Sequence, residues 1–156
     1  MSTPSEPAII RSLTAPELPA AAHLLAALNP ETPLTVIAER LETVLADHPH
    51  YHLVGAFQGE HLAGVCGAWI ATKIWCGRYL EIDNLVVSEN HRSSGIGSLL
   101  IAHLETLARE LDCKVLTLDS YVSNPASHRL YHRLGFEIWG FHFIKPIGDW
   151  KGEESC

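Results

Sequence analysis

No apolar run in the 156-residue chain approaches the ~20 residues that span a bilayer, so no membrane partner is expected. Cationic residues are scarce: 11 Lys plus Arg stand against 18 Asp plus Glu, a net charge of −7 with histidines neutral. That balance argues against broad nucleic-acid binding, which needs clustered cations against phosphates. Cysteines are few and scattered. Cys66, Cys76, Cys113 and Cys156 lie too far apart for a Cys-x-x-Cys metal or redox motif, and Cys66 and Cys113 read as small apolar fillers. The opening MSTPSEPAII lacks a basic stretch followed by an apolar core, so a cytoplasmic location is expected rather than secretion. Repeats, low-complexity tracts and long linkers are missing too.

What is present suits a compact fold. Hydrophobic residues make up 47 % and charged residues 19 %, enough aliphatic content for a core and too little charge for disorder. The length fits a single domain over 1–156. Residues 8–12 read as a strand, and Thr14-Ala15-Pro16-Glu17 matches a capping box ahead of Leu18, Ala21, Ala22, Leu25 and Leu28 at helical spacing. Thr32-Pro33 starts a second helix, with Leu34, Ile37, Leu41, Val44 and Leu45 as its stripe, ending at His48-Pro49. Segments 51–58, 61–72 and 79–87 are β-like. Residues 96–111 form the clearest helix, 115–118 a strand, Asn124 to Gly135 a short helix, and 136–145 a last strand. Helices between strands predict a two- or three-layer α/β domain with a mixed sheet.

The chemistry concentrates after strand 79–87, where Arg92-Ser93-Ser94-Gly95-Ile96-Gly97-Ser98 opens the strongest helix. Small residues let an anion approach the backbone, and the first amides of a helix have no internal partner. Those amides, the helix dipole and the Arg92 guanidinium favour a pyrophosphate. The alternative is a solvated Gly/Ser connection. No Gly-Lys-Ser/Thr is present, which excludes a P-loop, and the glycines do not follow Gly-x-Gly-x-x-Gly, which disfavours a dinucleotide fold or another nucleotide-binding enzyme.

Arg-x-x-Gly-x-Gly after IDNLVV resembles the acetyl-coenzyme A signature of the GNAT N-acetyltransferase superfamily. Downstream, the segment Asn124 to Phe136 resembles that superfamily's Asn-x-x-Ala-x-x-x-Tyr-x-x-x-Gly-Phe, with the alanine displaced to Ala126. The good match covers 79–140, which the resemblance makes the cofactor-binding core, with acceptor-side helices over 14–48 and a polar tail over 149–156. It implies a mostly antiparallel mixed sheet flanked by about four helices, in which strand 79–87 bulges and splays from its neighbour. It further implies that Leu85, Val86 and Val87 pair with the pantetheine arm and that the amides of Arg92 to Ser98 hold the pyrophosphate. An amide near Val86 or Val87 would then face the thioester oxygen. A homodimer is common in the superfamily.

By the same resemblance Tyr131 protonates the departing thiolate; its other reading is helix packing beside Leu130 and Leu134. Asn124 either bonds the cofactor arm or caps its helix. An attacking ammonium must lose a proton, and Glu81 and Asp83 are the candidate bases, with Glu81 preferred. Two residues apart on a strand, they share a face; an acidic face that merely attracts cations is the alternative. Trp69 and Trp75 either wall the acceptor pocket or pack in the core. His48, His50 and His52 have only Asp47 beside them, and no metal is expected. The expected reaction is acetyl transfer from acetyl-coenzyme A to a small cationic amine. A protein or peptide amino group is the alternative acceptor, and a non-catalytic acyl-coenzyme A binding module the alternative class.

Overall fold

A computed structural model describes residues 7–150, so Cys156 and most of the tail expected over 149–156 lie outside the described residues. The chain divides into two compact units, Met1–Leu118 and Asp119–Cys156.

The first unit is built on five strands in the order β1 (Ile9–Ser12), β2 (Tyr51–Gln58), β3 (His61–Lys73), β4 (Gly77–Val87) and β5 (Val115–Leu118). Neighbours pair antiparallel except β4 with β5, which run parallel, as a mixed sheet requires. Parallel pairing needs a crossover, and α3 (Ile96–Glu110) supplies it. The two apolar stripes read from the sequence form α1 (Leu18–Ala26) and α2 (Leu34–Asp47). The Thr14 amide donates to the Glu17 carboxylate at 2.7 Å, so the predicted capping box fixes the entry to a short 3₁₀ turn that runs on into α1.

Alternation assigns the layers. Tyr51, Leu53, Val65 and Val86 join Ala21, Ala22 and Leu25 of α1 and Ile37 and Leu41 of α2 in one core. The other face belongs to α3: a Cβ at Gly64 would stand 3.1 Å from Ile96 and 3.3 Å from Leu100. Helices therefore cover both faces of the sheet.

In the second unit, α4 (Pro125–Arg133) follows Asn124, and the Phe136 amide returns to the Tyr131 carbonyl at 3.0 Å across Gly135, a left-handed cap at φ +91°. The strand predicted over 136–145 is not formed: among the described residues that segment joins no ladder. Its alternation selects a face, but a strand also needs a neighbour for its amides. Ile138, Trp139, Phe141 and Phe143 remain exposed.

Candidate active site

β4 carries the centre of the site. Val65 pairs with Val86 and Gly67 with Asp83, so three steps along β4 oppose two along β3. The extra residue is a bulge at Asn84, whose φ of +53° is a left-handed conformation that asparagine tolerates better than most side chains. By adding one residue, the bulge returns Val86 to the face that Asp83 occupies. The ladder between β4 and β5 covers only Tyr79–Ile82 against Val115–Leu118. Beyond Ile82, β4 has no neighbour on that side among the described residues. The bulge and splay implied by the resemblance are thus both present.

Backbone direction follows from one bond. Ser88 donates its amide to the Ala63 carbonyl of β3 at 2.8 Å. Alternation then turns the polar groups of Val86 toward β3 and those of Leu85 and Val87 toward the open edge.

The chain next makes a 3₁₀ turn at Glu89–His91 and enters α3 through Gly95 at φ +85°. This left-handed value is what makes glycine the suitable residue there. His91 takes part in holding the loop: its Nδ1 lies 2.6 Å from Ser88 Oγ and its carbonyl accepts from the Ser94 hydroxyl. Among the described residues, the amides of Ser93, Gly95, Ile96, Gly97 and Ser98 have no backbone partner. A Cβ on Gly95 would meet nothing within 4 Å, so the approach to these amides is open. Arg92 is exposed, 3.7 Å from Glu89. A row of free amides, a helix N-terminus and a guanidinium fit a diphosphate.

The two carboxylates have different surroundings. Glu81 lies opposite Trp69 and reaches Lys73 Nζ at 3.9 Å. Asp83 accepts a hydrogen bond from the Trp69 indole at 3.2 Å and lines a cavity of about 250 Å³ between α1, α2 and the sheet. Trp69 stands edge-on to Tyr51, 4.7 Å between ring centres, and so braces Asp83 from the core. Trp75 sits on the exposed β3–β4 turn. Sequence reading missed the cavity's other polar residues, Asn29, Arg40, Tyr51 and Asn84. Two signals were available: Arg40 interrupts the apolar stripe of α2, and Asn84 interrupts a β-like run.

Tyr51 crosses the face of Gly67, where a Cβ would stand 1.9 Å from the phenol oxygen. Burial, followed by the negative charge of Asp83, pushes the phenol well above its ordinary value, although a hydrogen bond with the Asn84 side chain opposes this. Tyr51 is therefore a neutral donor at physiological pH. Burial and Asp83 likewise push the Cys66 thiol up, which leaves it an unreactive filler.

In the second unit the Asn124 side chain accepts the Ser127 amide at 3.2 Å, which realises its capping role. Tyr131 is half-buried on α4 and stands edge-on to Phe136, ring centres 5.9 Å apart.

Known proteins resemble this chain in sequence or in fold. An uncharacterized N-acetyltransferase of Bacillus subtilis is 27 % identical over 125 residues, covering 80 % of this chain and 87 % of that protein. An aminoalkylphosphonate N-acetyltransferase of Salmonella typhimurium is 34 % identical over 73 residues, 47 % of this chain and 46 % of that one. An aminoglycoside N-acetyltransferase solved with coenzyme A superposes with a TM-score of 0.82 at 19 % identity, over 94 % of this chain and 99 % of that one. The family model for "Acetyltransferase (GNAT) family" matches residues 15–136. With that match spanning most of its length, the chain belongs to the acetyltransferase (GNAT) family.

Proposed function

We propose that this acetyltransferase moves an acetyl group from acetyl-coenzyme A directly to a small primary amine that enters the cavity beside Asp83. The observation that carries this reading is the course of the chain through β4: the strand bears Asp83 at the cavity and open-edge amides at Leu85 and Val87, then leads into the free amides at the start of α3. Acetyl-coenzyme A supplies an electrophilic thioester carbonyl. The free amides of Ser93 and Gly95 to Ser98 and the guanidinium of Arg92 hold the diphosphate, the Arg92 and Ser94 amides being spent on the Glu89 and His91 carbonyls. Leu85 and Val87 pair with the pantetheine arm, whereas Val86, expected to pair with it too, turns its polar groups to β3. The Val87 amide, facing the open edge, donates to the developing oxyanion, worth about 3 kcal/mol for one well-placed donor.

Asp83 takes the ammonium and then its proton. What supports Asp83 over Glu81, the residue preferred on sequence, is that Asp83 lines the cavity and is braced by Trp69, whereas Glu81 leans toward Lys73. Glu81 then contributes negative potential on the same face. Tyr131 protonates the departing sulfur, a phenol being a fair match in basicity. Asn124 caps α4 and contacts the cofactor arm. The family match crosses from the first unit into the second, which supports one acetyltransferase domain. Relatives are named for acetylating an aminoglycoside, an aminoalkylphosphonate and the alanine of a ribosomal protein, so the support for a small amine is the small size of the cavity beside Asp83.

Calorimetry with coenzyme A and thiol release with a panel of amines test the reading. Tight binding with amine-dependent thiol release is expected. Binding without release for any amine would leave a non-catalytic binding module, and no binding would remove the reading altogether.

A further inference from the structure

The acceptor cavity contains one positive and one negative side chain. Arg40 lines it from α2, within the stripe formed by Ile37, Leu41 and Val44, and Asp83 lines it from β4. An arginine three residues after Ile37 and next to Leu41 lies on the flank of the face that α2 turns to the cavity. Among the described residues Arg40 forms no ion pair and no side-chain hydrogen bond, and it stands more than 4.0 Å from the Asp83 carboxylate. Most other arginines of the first unit are engaged by a carboxylate: Arg11 with Glu17, Arg92 with Glu89 and Arg109 with Glu105. An unpaired guanidinium at a cavity is a planar fork suited to a carboxylate or a phosphorus oxyanion.

Resting on the acceptor pocket proposed above, we infer that the substrate is a primary amine with an anionic tail: its ammonium faces Asp83 and its carboxylate, phosphonate or phosphate faces Arg40. A dicationic amine would place its second charge against Arg40, and that repulsion excludes polyamines from the cationic acceptors expected on sequence. Size agrees. About 250 Å³ lies under the roughly 300–1,000 Å³ of pockets for drug-sized ligands, so the acceptor has few heavy atoms. The Asn29 and Tyr51 side chains add polar contacts along the wall, and Leu25, Ile37 and Val44 cover the carbon chain.

The test measures kcat/KM by thiol release for four amines of equal chain length: an aminoalkyl carboxylate, an aminoalkyl phosphonate, the uncharged amino alcohol and the diamine. Wild-type protein is expected to prefer an anionic tail by roughly tenfold or more. Arg40→Gln is expected to level the four, mainly through KM, and Arg40→Glu to reverse the order in favour of the diamine. Arg40 is exposed, so both variants are expected to fold, and their coenzyme A affinity provides the check. Equal use of the four by wild type, an order unmoved by Arg40→Gln, or coenzyme A binding without turnover of any anionic-tailed amine would each overturn the inference. Failure of wild type to bind coenzyme A is a different result and removes the cofactor assignment instead.

Discussion

The two halves of the site are made of different material. Downstream of Asn84, the groups proposed to hold the cofactor are chiefly main-chain amides, at Leu85, Val87, Ser93 and Gly95 to Ser98, with the Arg92 guanidinium beside them. Upstream, the cavity is made of side chains from four elements: Asn29 after α1, Arg40 on α2, Tyr51 on β2 and Asp83 on β4. A main-chain site depends on backbone shape, so it tolerates side-chain change wherever shape is kept. A side-chain site changes its ligand with a single substitution.

Asp83→Asn breaks the side-chain half most sharply. Its kcat/KM is expected to fall by about 10³-fold at neutral pH with coenzyme A affinity unchanged. A loss no larger than that of Glu81→Gln would return the base role to Glu81. Tyr131→Phe is expected to lower kcat by about 10²-fold, and a wild-type rate would remove its acid role. On the main-chain half, Gly95→Val forces a branched side chain into a left-handed conformation that costs about 1–2 kcal/mol. Coenzyme A binding measured by calorimetry should weaken roughly tenfold as the turn shifts. Ser98→Ala removes only a side chain and should change the same Kd by about twofold or less. A larger loss for Ser98→Ala than for Gly95→Val would contradict a main-chain site.

The smallest expected effect lies outside both halves. The Arg11 guanidinium first, then the Thr14 amide, hold Glu17 down from 4.5 to about 2. A depressed carboxylate adds stability above its unfolded value that is lost as pH falls from 4.5 toward 2. The Arg11–Glu17 pair lies at the surface, where solvent screens it, so the melting temperature of wild type should drop only slightly more than that of Glu17→Gln over that window.

This division also explains what the sequence revealed. β2 and β5 were legible residue by residue, because β-branched and aromatic runs between turn residues report local structure directly. The turn into α3 was legible because its signals, small residues and one cation ahead of an apolar stripe, are contiguous. The cavity was not. Arg40 and Asp83 are 43 positions apart in the chain, and only the packing of α2 on β4 gives them a common wall. The segment 136–145 misled for the converse reason: alternation records which side is apolar, while the partner strand is non-local information.

Gly67 gives the acceptor cavity its floor through an atom it does not have. With the phenol oxygen of Tyr51 only 1.9 Å from where a methyl would be, even alanine there evicts the ring. The displaced phenol would carry away the Asn84 contact at the bulge and loosen the indole that steadies Asp83. A substitution at position 67 would therefore reshape the cavity proposed for the acceptor without lining it, and a search for altered selectivity that varied only the visible walls would overlook it.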